Sequence, residues 1–87
     1  MLEREVIKIQ LTYPESHVAE PILYHLVIDF GLIPNIRRAN MELGVGGYLL
    51  MELTGEPEYL KKGIAFLESR DIKVTHIGLD GDSSWAL

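Results

Sequence analysis

A chain of 87 residues with 47% apolar and 24% charged side chains suits one domain, with a single modest core and no room for a large buried active site. Acidic residues outnumber basic ones 13 to 8, a net charge of −5, which argues against nucleic acid as a partner, because neutralising phosphates takes an excess of Lys and Arg. The absence of cysteine excludes disulfides, thiolate zinc sites, iron–sulfur clusters and cysteine nucleophiles.

The start of the chain, Met1-Leu2-Glu3-Arg4-Glu5, has no basic segment leading into an apolar run. No apolar stretch approaches the ~18–20 residues that cross a bilayer. A cytoplasmic chain without membrane insertion is expected. From Glu5 to Tyr13 the residues alternate, with Ile7, Ile9, Leu11 and Tyr13 on one side and Lys8, Gln10 and Thr12 on the other. That period of two predicts a strand with one buried face, which Pro14 ends. Pro21 suits the first turn of a helix. Ile22, Leu23, Leu26, Val27 and Phe30 follow as an apolar stripe at helical spacing, and Gly31 stands where a left-handed terminating residue belongs. Tyr24 and Ile28 fall outside the stripe, and His25 is placed on the outer side of the helix.

A second strand is predicted from Ile33 to Leu43. Ile36 has the opposite parity to Ala39, Met41 and Leu43, so the strand carries a bulge or starts late. Gly44-Val45-Gly46-Gly47 reads as a tight connection. Tyr48 to Thr54 is then a third strand, with Leu49, Met51 and Leu53 on one face and Tyr48 and Leu50 on the other, apolar enough for a central position. Pro57 and the flanking acids Glu56 and Glu58 mark a second helix start. Leu60, Ile64 and Leu67 form its core stripe, Gly63 allows close packing, and Arg70-Asp71 ends it without the usual glycine. Ile72 to Leu79 is a final strand, and residues 80–87 form a polar tail.

The order βαββαβ, with right-handed crossovers, brings the first and third strands together at the centre of the sheet. The expected fold class is therefore α+β: a ferredoxin-like βαββαβ sandwich, a four-stranded antiparallel sheet with both helices on one face.

No catalytic or metal set emerges, so neither an enzyme nor a cofactor is expected. His17, His25 and His76 have no companions at zinc-binding spacing. Asp80-Gly81-Asp82-Ser83-Ser84 lacks the later ligands of a calcium loop. Gly44 to Gly47 opens a strand, so no helix N-terminus waits there for a phosphate. Ser16, His17 and Glu20 are ordinary helix-entry polar residues. Arg37-Arg38 reads either as the charge that guards an edge strand or as an anchor for a carboxylate. Val6, Tyr48 and Leu50 are placed on the sheet face that no helix covers, an apolar surface suited to a second copy or a second domain.

Several short runs carry a resemblance: Pro21-Ile22-Leu23, Phe30-Gly31, Pro34-Asn35-Ile36, Gly47 before an apolar strand, Thr54-Gly55, Ala65-Phe66-Leu67-Glu68 and Ile72-Lys73-Val74. In their order and spacing, over roughly residues 4 to 79, the chain resembles the NIL domain family, named for an Asn-Ile-Leu motif at the start of the second strand. Asn35 and Ile36 match that motif, and Arg37 stands in place of its leucine. The resemblance implies the ferredoxin-like, ACT-like fold and a regulatory module of the kind found on methionine-import ABC transporter ATPases and on some ferredoxins. It further implies a homodimer that binds methionine at its interface. Carried onto this sequence, the ligand would meet Asn35, Ile36 and Arg37, with Met41 receiving a thioether. The expectation is a free-standing, amino-acid-sensing homodimer. Its rival is an adaptor that docks on an enzyme or transporter through the exposed sheet face or edge strand, without ligand.

Overall fold

The computed structural model describes residues 4–14, 21–42 and 45–77. In chain order come β1 (Glu5–Tyr13), α1 (Ile22–Phe30), β2 (Ile33–Glu42), β3 (Gly46–Gly55), α2 (Pro57–Ser69) and β4 (Lys73–His76). The four strands pair antiparallel in the order β2-β3-β1-β4, the ferredoxin-like arrangement with β1 and β3 central. The polar tail, the residues around His17 and the outer end of the expected last strand lie outside the described residues.

The alternation in β1 sets the two faces. Ile9, Leu11 and Tyr13 are buried, and Ile9 and Leu11 stand opposite Met51 and Leu49 of β3. These side chains meet Ile22 and Leu26 of α1 and Leu60 and Leu67 of α2 in one core. The parity change in β2 is a bulge: the register with β3 slips between Ile36 and Arg38, leaving Arg37 as the extra residue. Pro34 and Ile36 before the bulge, and Ala39 and Met41 after it, therefore all lie on the helix side, opposite Leu53, Met51, Leu49 and Gly47. The connection into β3 needs Gly47, because a Cβ there would collide with the Asn40 carbonyl and sit 2.8 Å from Met41 Cα.

Both helices stop at a left-handed residue. At the end of α1, Gly31 has φ 65°, and the N–H groups of Gly31 and Leu32 donate to Val27 and Leu26. After α2 the same position is taken by Asp71 at φ 63°, with Ile72 N–H donating to Leu67 O at 3.2 Å. Leu32, 1% exposed, packs where two glycines make room. A Cβ on Gly63 would come within 2.7 Å of Leu32 Cδ1, and one on Gly55 would strike Leu32 Cδ2.

Two expectations about α1 are corrected. Val27 is 43% exposed instead of forming part of the core stripe, because the buried line runs through Ile22 and Leu26 and Val27 lies about 100° further round. His25 is part-exposed but leans on the neighbouring helix: its ring meets Phe66 of α2 edge-on at 5.7 Å and shares a 3.0 Å hydrogen bond with Asp29. Phe66 also packs on Phe30 at 5.6 Å and under the Arg70 guanidinium at 4.9 Å, so an aromatic seam joins the two helices. Among the described residues, no helix is long and apolar enough to cross a membrane.

Candidate functional site

Side chains on the sheet face opposite the helices fall into rows that run across the strands. One row holds Asn35 of β2, Glu52 of β3 and Lys8 of β1, each in register with the next. The Asn35 Nδ2 donates to Glu52 Oε1 at 3.4 Å, which fixes both side chains on the same face. Neighbouring strands lie about 4.8 Å apart, so the three polar ends span about 10 Å. A carboxamide, a carboxylate and an ammonium in one line offer every kind of contact that a zwitterion needs.

The adjoining row toward the start of β1 is Ile33, Thr54 and Val6. Ile33 is 50% exposed and Val6 57%, so two aliphatic side chains flank the polar row with open surface. On the other side stand Arg38, Leu50 and Gln10. Leu50 is only 3% exposed, against the expectation that it forms part of an exposed apolar face with Val6 and Tyr48. In register it stands between Arg38 and Gln10, whereas Tyr48 is half-buried toward the hairpin end.

The four residues expected to bind ligand do not converge within one chain. Asn35 faces the open side, while Ile36 and Met41 belong to the helix side and Arg37 is the bulge residue. With the bulge between them, Asn35 and Met41 are also five ladder positions apart, opposite Glu52 and Gly47, about 17 Å. What they share is β2, an edge strand, exposed along nearly its whole length. Ile36 is 46% exposed there and Met41 37%. The residues missed by the sequence reading are Glu52 and Lys8. Their alternation put them on the open face, but only the register sets both in line with Asn35.

Burial pushes the Tyr13 phenol above its usual value, and this residue lies in the core. Among the described residues, no cluster of three or more His, Asp or Glu side chains could hold a metal ion.

The architecture defines an α+β ferredoxin-like module whose sheet face opposite the helices carries the Asn35–Glu52–Lys8 row. The model of the NIL domain matches residues 8–76, and the chain belongs to that family. Its fold is similar to the crystal structure of the C-terminal domain of an ABC transporter ATP-binding protein from Enterococcus faecalis, with 21% identity, a TM-score of 0.73, and coverage of 85% of this chain and 86% of that one. A search of curated proteins found no match. Family membership supports a regulatory module.

Proposed function

We propose that the chain is a regulatory module that binds a free amino acid, methionine or a close relative, on the sheet face opposite its helices and works as a homodimer without catalysing a reaction. The observation that carries this reading is the Asn35–Glu52–Lys8 row. Glu52 would take the ammonium group and Lys8 the carboxylate, while the Asn35 carboxamide bonds to either. The aliphatic row of Ile33 and Val6 would receive an unbranched apolar side chain. Likeness to a transporter ATPase's C-terminal domain supports a transporter as the regulated partner.

The homodimer is supported by the edge strand. Ile36, Arg37 and Met41 cannot join Asn35 within one chain, but all four lie on β2, where a second copy would gather both faces at one seam. The same exposed edge favours the second reading, an adaptor that docks on a larger protein without ligand. Thermal unfolding against a panel of amino acids at millimolar concentration separates the two. A midpoint raised by methionine in the wild type and not in Asn35→Ala is the expected outcome. No shift with methionine, homocysteine or cysteine would leave the adaptor reading. A sedimentation mass of one chain at micromolar concentration would overturn the homodimer.

A further inference from the structure

A second concavity, of about 320 Å3, lies on the other side of the molecule, between α2 and the start of β1. One stripe of α2 forms its wall at helical spacing: Leu60, Lys61, Ile64, Ala65 and Glu68. Pro57 at the start of α2, Glu5 and Ile7 of β1 and His76 at the end of β4 complete it. The groove lies beyond the stretch of β1, residues 9–12, that pairs with β4. It is distinct from the Asn35 row, since Ile7 has the parity of the buried side chains and the row has the opposite one.

The lining divides cleanly. The floor is aliphatic, from Ile7, Leu60, Ile64 and Ala65, and the volume falls at the small end of the range of ligand pockets. The rim carries two carboxylates, Glu5 and Glu68, against one ammonium, Lys61. None of these three has an ion-pair partner among the described residues, unlike the neighbouring Lys62, which pairs with Glu58 at 3.2 Å. The excess of negative charge around a narrow aliphatic floor selects the sign of a ligand's head group.

We propose that this groove is a binding site for a small organic cation, an aliphatic body of a few carbons ending in a primary ammonium. The body lies along Ile7 and Ile64, and the head is held by Glu5 or Glu68. The site does not depend on the amino-acid reading of the opposite face.

The test is an amide chemical-shift titration of the full chain with three probes of equal length: hexylamine, hexanol and hexanoate. Hexylamine is expected to shift the amides of Ile7, Ile64, Ala65 and His76 and to bind more tightly than the other two. In Glu5→Gln/Glu68→Gln its affinity should fall about tenfold, the order expected for losing a contact to a charged group. Both glutamates are exposed, and an unchanged thermal midpoint will show that this variant is folded. Asn35→Ala should leave hexylamine binding unaltered. The proposal is overturned if hexanoate or hexanol binds as well as hexylamine, if the shifts fall elsewhere, or if the double variant binds as the wild type does.

Discussion

Leu32 is the residue through which α1, α2 and the sheet are locked together, and the two glycines facing it make that claim measurable. Leu32→Ala empties a site that is 1% exposed, and losses of this kind cost about 3 kcal/mol. A domain of this size has a total stability of about 4–13 kcal/mol, so the variant should remain folded. Gly63→Ala in the wild type brings two opposed effects. Helix propensity favours alanine by about 1 kcal/mol. The new methyl, however, stands 2.7 Å from Leu32 Cδ1 and 3.4 Å from Leu26 Cδ2, and overpacking a closed core costs about 1–3 kcal/mol. The net expectation is a loss of about 1 kcal/mol. With Leu32 already cut to alanine the obstruction is gone, so the same substitution should stabilise by about 1 kcal/mol. The sign therefore reverses, and the coupling is about 2 kcal/mol. Urea unfolding followed by far-ultraviolet circular dichroism on the wild type, both single variants and the double variant measures it. Equal effects of Gly63→Ala in the two backgrounds would refute the packing argument.

Other perturbations follow from the backbone and from burial. Asp71→Gly should raise stability by about 1 kcal/mol in urea unfolding, because Asp71 holds φ 63° with a side chain that disfavours it. Gly47→Ala should cost 3 kcal/mol or more, on the order of the largest single-site effects, or shift the β2–β3 register, since its Cβ would meet the backbone of Asn40 and Met41. Loss of the Asn40–Tyr48 cross-strand contacts in NMR spectra would report a register shift. The buried Tyr13 phenol ionises at higher pH in the folded state than in the unfolded chain, whose tyrosines titrate near about pH 10. The sign is that of a group favoured in its neutral form: its contribution is complete below pH 10 and is lost as the pH rises through the folded value. Unfolding curves at pH 9 and 11 should show a steeper alkaline loss in the wild type than in Tyr13→Phe.

Much of this fold was legible because it rests on period and parity. Ile7 to Tyr13 fixed the buried face of β1, and the parity of Ile36 against Ala39 and Met41 foretold the bulge that the structure places at Arg37. The missing glycine after α2 marked the place where Asp71 adopts a left-handed backbone. What stayed hidden depends on which strand lies beside which residue. Leu50 has the right parity for the face opposite the helices, yet it is 3% exposed. His25 has an outward position on a helical wheel drawn in isolation, and the presence of Phe66 on the adjacent helix turns it into a packing residue. The candidate site was half visible for the same reason. Asn35 could be singled out in the chain, whereas Glu52 and Lys8, 17 and 27 positions away, join it only through the pairing of three strands.

The most direct test of amino-acid binding on the open face is an amide and side-chain NMR titration of the full chain with methionine. The expected result is a saturable set of shifts centred on Lys8, Asn35 and Glu52, including the Asn35 carboxamide, and abolished by Glu52→Gln. Shifts confined to the helix side of β2, or none at millimolar methionine, would contradict it.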